Sequence, residues 1–249
     1  MVNAFFDKKC ASKTRIFVPF VWNFRPVRFS DYITSCTKDD TSGENNEILY
    51  GTVTDIDGNQ YKTVTIGTQT WMAENLKVTK YNDGTEIPNV TDLTSWINLT
   101  TGAVCTYNNT TNADTINNYG RLYNWYAVNT GKLCPTGWHV PSDAEWTILN
   151  NYLLSNAGGK LKERGTIHWI SPNEGATNET GFTALPSGGR SNNGTFIGIG
   201  SSGYWWCSNE RGQENAYNVW LSCNDGNLYD YGGIITNDIC GFSIRCLKN

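Results

Sequence analysis

From Gly203 to Cys246 the chain reads GYWWCSNERGQENAYNVWLSCNDGNLYDYGGIITNDICGFSIRC, and no single helix or strand accommodates it. Ordered-looking anchors (Tyr204-Trp205, Ala216, Trp220-Leu221, Gly241-Phe242-Ser243) alternate with positions that follow no packing logic. Tyr229, Tyr231, Ile234, Ile235, Asp238 and Cys240 stand among glycines and asparagines as if each were chosen independently. Glycine and asparagine weaken a continuous strand, so such a segment needs a frame built by the rest of the chain. Its mixture of Tyr with Gly, Ser and Asn is that of a binding surface. Tyr supplies contact area at low entropy cost, and the small polar residues supply adaptable hydrogen bonding.

The 249 residues suit one domain of about 200 residues behind a leader. A net charge of −4 with 17% charged residues argues against nucleic acid as partner, which needs clustered Lys and Arg. Ten Trp, thirteen Tyr and 25 Gly beside two Met and two His point to an aromatic, loop-rich extracellular fold. No run approaches the ~20 apolar residues of a membrane helix. None of the eight cysteines forms a Cys-x-x-Cys pair and only two histidines exist, which argues against structural zinc and for an exported protein with some disulfides.

Residues 1–48 read as leader and linker, and residues 49–249 as the folded domain. Ile33-Thr34-Ser35-Cys36 resembles a lipoprotein lipobox with Cys36 as the lipidated residue, and Lys38-Asp39-Asp40 is similar to the acidic export tag of surface lipoproteins. The segment upstream of it is broken by Arg25 and Arg28, and an irregular tail is the alternative. Asp57-Gly58-Asn59 marks a tight turn, followed by alternation with Tyr61, Thr63 and Thr65 on one face and Lys62, Val64 and Ile66 on the other. Leu122, Trp125 and Tyr126 fall on one face of a short helix. Ser142 and Glu145 form a capping box that starts the clearest helix, with Trp146, Leu149, Asn150, Leu153 and Leu154 on its periodic face. Asn156 to Gly159 ends that helix, and no helix is expected from Lys160 onward. Central helices between terminal strands predict an α+β domain whose termini pair in one sheet.

Six motifs then accumulate. They are Val64-Thr65-Ile66-Gly67 through Trp71-Met72-Ala73-Glu74-Asn75-Leu76, Tyr119-Gly120-Arg121-Leu122-Tyr123-Asn124-Trp125-Tyr126-Ala127-Val128, and Leu133-Cys134-Pro135-Thr136-Gly137-Trp138-His139-Val140-Pro141-Ser142-Asp143-Ala144-Glu145-Trp146, with Gly181-Phe182-Thr183-Ala184-Leu185-Pro186, Tyr204-Trp205-Trp206 and Gly241-Phe242-Ser243-Ile244-Arg245-Cys246. Together they resemble the Fibrobacter succinogenes major paralogous domain. That resemblance implies the formylglycine-generating-enzyme-like branch of the C-type lectin fold: a small antiparallel sheet, two helices and a large loop-rich lobe. It also implies a variable protein of the diversity-generating-retroelement type, presenting a hypervariable C-terminal segment as its ligand-binding surface. The candidate positions are Cys207, Arg211, Tyr217, Val219, Cys223, Asp225, Tyr229, Asp230, Tyr231, Gly232, Ile234, Ile235, Asp238, Ile239 and Cys240.

A Cys134–Cys246 bridge would tie helix to sheet, with Cys105–Cys134 as its rival. A copper oxidase of the formylglycine-generating type would need two closely spaced thiolates near the chain end, where only Cys240 stands close to Cys246. Pro172-Asn173-Glu174 is similar to the Pro-Asn motif of Ca²⁺-dependent sugar sites, although Ca²⁺ needs six to eight converging oxygens. His139 and His168 read as hydrogen-bonded structural residues and Glu145 as a cap. The expectation is a non-enzymatic binding protein of the bacterial surface, lipid-anchored or secreted, whose partner is a protein or a glycan. A purely structural or adhesive envelope module is the alternative.

Overall fold

The turn at Asp57-Gly58-Asn59 is locked by Asp55. Its Oδ1 accepts the N–H groups of Asp57 (3.0 Å) and Asn59 (2.9 Å), and its Oδ2 accepts the Tyr61 hydroxyl (2.6 Å). That clasp joins β1 (Gly51–Thr54) to β2 (Gln60–Ile66), which runs on antiparallel into β3 (Gln69–Met72). The computed structural model describes residues 47–212, 214–230 and 236–249, with Asp230 and Thr236 described in their backbone only. Residues 1–46, including Cys36, lie outside the described residues, as do Tyr231, Gly232, Ile234 and Ile235.

The middle of the chain supplies helices and short bridging strands. In order come α1 (Leu93–Ile97), β4 (Val104–Cys105), α2 (Ala113–Tyr119), β5 (Leu122–Tyr123), α3 (Trp125–Val128), β6 (Trp138–His139), α4 (Asp143–Leu153) and α5 (Ala157–Leu161). The remainder is β7 (Ser187–Arg190), β8 (Phe196–Ile199), β9 (Ser202–Gly212), β10 (Asn215–Ser222), β11 (Tyr229–Asp230), β12 (Thr236–Asn237) and β13 (Leu247–Lys248). The fold is α+β. One sheet has the order β1-β2-β3-β13-β6, so strands from both ends of the domain share it, Leu247 lying opposite Trp71. A second runs β11-β10-β9-β7-β8, with β12 pairing β10, and β4 and β5 form a two-stranded third.

The capping box forms as read: the Glu145 N–H donates to Ser142 Oγ, and the Ser142 N–H donates to Glu145 Oε2 at 2.8 Å. Trp146, Leu149 and Leu153 are buried, but Leu154 is the exposed C-cap at φ 59°. Two other local readings are corrected. Leu122 belongs to β5, and the helix that follows starts at Trp125 with Asn124 as its cap. Gly158 and Gly159 do not end structure; they lie inside α5. A Cβ on Gly158 would sit 2.1 Å from the Asn227 carbonyl oxygen, and one on Gly159 2.1 Å from that of Gly175. These glycines answer a close approach of backbone rather than a break. Tyr61 and Thr63 on one face and Val64 and Ile66 on the other are all buried, because a separate core covers each side of the sheet.

Cys134 and Cys246 form a disulfide, which removes Cys105 as the partner of Cys134; Cys105 is a buried thiol. Bridging a sequence separation of 112 residues, it stabilises the fold by about 4 kcal/mol on chain-entropy grounds. Asn75 joins the first motif to the last: its Oδ1 accepts from Trp205 Nε1 (2.9 Å) and Arg245 Nε (2.7 Å), and its Nδ2 donates to Ser243 Oγ (3.3 Å). Three buried cations, Lys162, Arg190 and Arg245, are held mainly by backbone carbonyls. Arg190 reaches the carbonyls of Val90, Thr91 and Gly194 and stacks 4.4 Å from the Trp96 ring centre. Among the described residues no helix is long and apolar enough to cross a membrane.

Candidate functional site

β9 and β10 form the hairpin that carries most of the terminal segment. Near its root both faces are covered. Trp205, Cys207, Val219 and Leu221 pack in one core with Trp146 and Leu149 of α4, while Trp206, Ala216 and Phe242 pack in another. This placement corrects five of the expected contact positions. Cys207, Val219, Cys223, Asp238 and Cys240 are buried, so they form part of the frame and present no surface to a ligand. Burial pushes the Cys240 thiol up to about 12, and Cys246 is committed to its disulfide, so the two do not form a thiolate pair. Asp230 is described in its backbone alone, paired opposite Val219, and Ile239 is half-buried.

Arg211, Tyr217, Asp225 and Tyr229 remain partly accessible. The Arg211 guanidinium lies 5.4 Å from the Tyr217 ring centre, and Tyr217 also packs against the core, which makes it half frame. The hairpin tip exposes Ser208, Glu210, Gly212 and Glu214. Asp225 sets the position of Tyr229: its Oδ2 accepts the Tyr229 hydroxyl at 2.8 Å, while its Oδ1 accepts the Asn227 N–H at 2.8 Å.

The feature missed in the sequence is a ladder of aromatic rings across the sheet. Phe242 stacks on Tyr204 (centroids 5.1 Å apart, planes 19° apart), Tyr204 on Trp220 (6.3 Å, 24°) and Trp220 on Tyr229 (4.4 Å, 13°). Tyr204, Trp220 and Tyr229 are each half-exposed, so the last three rungs form a stacked shelf open to solvent. Tyr204 and Trp220, anchors by sequence, also belong to the exposed shelf. Two register shifts hid the pairing. Asn215 lies opposite Gly212 at the turn, and an unbroken ladder from there would set Cys223 against Tyr204; the irregularities around Ala216 bring Trp220 there instead.

Pro172-Asn173-Glu174 turns inward. Asn173 is buried and donates from Nδ2 to the carbonyls of Glu163 (2.9 Å) and Gly165 (2.6 Å), while the Glu174 N–H donates to the Cys223 carbonyl. The tripeptide therefore holds a loop. Among the described residues no three His, Cys, Asp or Glu side chains converge as a metal-ligand set. His139 bridges Glu145 (2.9 Å) and Asn249 (2.6 Å).

Asp238 is the electrostatic oddity of the segment. Its backbone is tied down, accepting from the Trp125 N–H and donating to the Glu214 carbonyl, but its Oδ1 is buried without a hydrogen bond. Burial, with repulsion from Glu210 and Glu214 added, pushes the carboxyl up to about 6. The folded state thus holds this proton more tightly than the unfolded chain. The group's contribution is most favourable below about pH 4 and is lost as pH rises through about 6. Asp238→Asn is expected to raise stability near neutral pH by about 1 kcal/mol, allowing for solvent screening. Thermal melts across that window check it: the variant's Tm should rise relative to wild type with increasing pH, and parallel curves would contradict the assignment.

No curated protein and no solved structure matches the chain. The motifs that position the hairpin and close the terminal sheet lie within a single continuous match. Residues 64–248 match the Fibrobacter succinogenes major domain, and the chain belongs to that family.

Proposed function

We propose that this chain is a non-enzymatic binding protein displayed at the bacterial cell surface. Its contact surface is the accessible part of the terminal segment: the shelf of Tyr204, Trp220 and Tyr229, the Asp225–Asn227 loop and the hairpin tip around Arg211. The single observation that carries this reading is the stacked, half-exposed shelf, in which Tyr229 is fixed by a hydrogen bond to Asp225 before any ligand arrives. Large rings held in place lose little entropy on binding, which is how paratope-like surfaces gain affinity. The two sheets, the capped helix and the disulfide near the terminal strand accord with a C-type-lectin-like frame, and the solvent-facing positions between anchors are where diversification is tolerated without loss of the core. The ligand is a protein or a glycan, and Cys36 is the expected lipid anchor.

Arg211→Ala, Asn227→Ala and Tyr229→Ala combined should abolish binding to whichever features of glycan and surface-protein arrays the wild-type chain recognises. Far-UV circular dichroism and Tm should stay close to wild type. A folded triple variant with undiminished binding would sink the reading. A reverse-transcriptase gene beside this one, with a template repeat matching the codons of residues 203–246, tests the diversification. Mass spectrometry of the N-terminal peptide tests lipidation at Cys36.

A further inference from the structure

We propose a second ligand site, separate from the terminal surface, for a single neutral sugar ring. It is a cleft of ≈ 200 Å³ where five stretches of chain converge, lined by Glu74, Asn117, Asn118, Glu163, His168 and Arg245 among others. Its volume lies below the roughly 300–1,000 Å³ that takes drug-sized ligands, which limits the occupant to about one ring.

His168 is positioned rather than loose. Its Nδ1 lies 2.9 Å from both carboxylate oxygens of Glu163, and the Tyr119 ring packs edge-on at 5.6 Å and 85°. Nδ1 thus donates to Glu163, which leaves Nε2 as the ring nitrogen for a ligand hydroxyl, an acceptor in the neutral ring and a donor in the protonated one. Glu74 has one oxygen engaged with the Lys62 N–H (3.2 Å). Asn117 and Asn118, at the end of α2, are exposed, and neither side-chain amide is spent on a hydrogen bond with another described residue. The amides both donate and accept, the carboxylates accept, and Nε2 pairs with a hydroxyl as acceptor or donor. Alternating donors and acceptors are what vicinal hydroxyls require.

Charge selects against the rivals. Arg245 lies buried in the cleft wall, bonded to Asn75 and to backbone carbonyls rather than to a carboxylate. Two carboxylates stand against one guanidinium, but both Glu163 oxygens are taken up by His168 and one Glu74 oxygen by the Lys62 N–H. A cation would have to displace those partners beside the guanidinium, an anion would meet both carboxylates, and a neutral polyol avoids both costs.

The test is an amide-shift NMR titration of the ¹⁵N-labelled chain with methyl glycosides of glucose, galactose, mannose and N-acetylglucosamine at millimolar concentrations. Acetate and methylammonium serve as charged controls. One glycoside should shift the amides of Asn117, Asn118 and His168, with saturation. Asn117→Ala/Asn118→Ala, which alters exposed positions only, and His168→Ala should each weaken the response about tenfold, the effect of losing ~1.4 kcal/mol of hydrogen bonding. Shifts confined to the charged controls overturn the proposal, as does no response to any glycoside or an undiminished response in the Asn117→Ala/Asn118→Ala variant. The Arg211, Asn227 and Tyr229 substitutions should leave this titration unchanged, so failure of one site is distinguishable from failure of the other.

Discussion

Arg245→Met is expected to yield no stably folded protein. The guanidinium is fully buried and donates from Nε to Asn75 Oδ1 (2.7 Å), from Nη1 to the carbonyls of Met72 (3.2 Å) and Phe182 (2.6 Å), and from Nη2 to the carbonyl of Thr183 (2.9 Å). It also stacks 4.4 Å from the Phe182 ring centre. Removing it takes the guanidinium donors from three backbone carbonyls and leaves Asn75 Oδ1 with Trp205 Nε1 alone. Each orphaned group costs about 1–3 kcal/mol. Even with strong non-additivity the total is about 5 kcal/mol, comparable to the whole stability of many domains. The loss falls at a junction, since Asn75 also receives Trp205 Nε1 and the partner strands β3 and β13 meet beside it. Arg245→Lys should rescue little, because an ammonium does not reproduce the planar fork. Soluble yield and urea unfolding decide the matter: an Arg245→Met midpoint close to wild type would show that the carbonyls find other donors.

The parts of the fold legible in the sequence were those whose cause is local. The Ser142/Glu145 capping box and the Asp57-Gly58 turn involve partners within a few residues, so their chemistry can be read from spacing alone. The pairing of the terminal strands followed from the order of elements. The site was less legible because its geometry depends on distant events. The shelf exists only because two irregularities in the β9–β10 ladder bring Trp220 to Tyr204, and nothing in the spacing announces them. Cys207 and Val219 look like free choices in a polar segment, yet α4 covers that face of the sheet, and α4 lies more than fifty residues upstream. Gly158 and Gly159 read as a terminator because the backbone that presses on them comes from Gly175 and Asn227.

Lys162 was invisible for the same reason, and its substitution carries the second large effect. Its Nζ donates to the carbonyls of Glu174, Ser222 and Asp225, each at 2.8 Å, and lies 5.3 Å from the Trp169 ring centre. The residue is wholly buried, and burial pulls its pKa down from the usual lysine value. All three ammonium hydrogens have an acceptor, so the side chain acts as a fixed internal cation that ties the Glu174 loop to the Ser222–Asp225 stretch. Lys162→Met keeps the length and apolar stem but leaves three buried carbonyls unpaired, at a cost of about 4 kcal/mol. The damage should be directional. Ser222 and Asp225 belong to the stretch that sets Tyr229 on the shelf, and Asn227 presses on Gly158 beside the same lysine. Hydrogen exchange should therefore accelerate first at Glu174 and Ser222–Tyr229, while α4 retains protection until global unfolding. Binding at the terminal surface should fall with it, although no contact residue has changed. Uniform loss of protection across α4 and this loop would mean that Lys162 supports the domain as a whole and not the loop that carries the ligand.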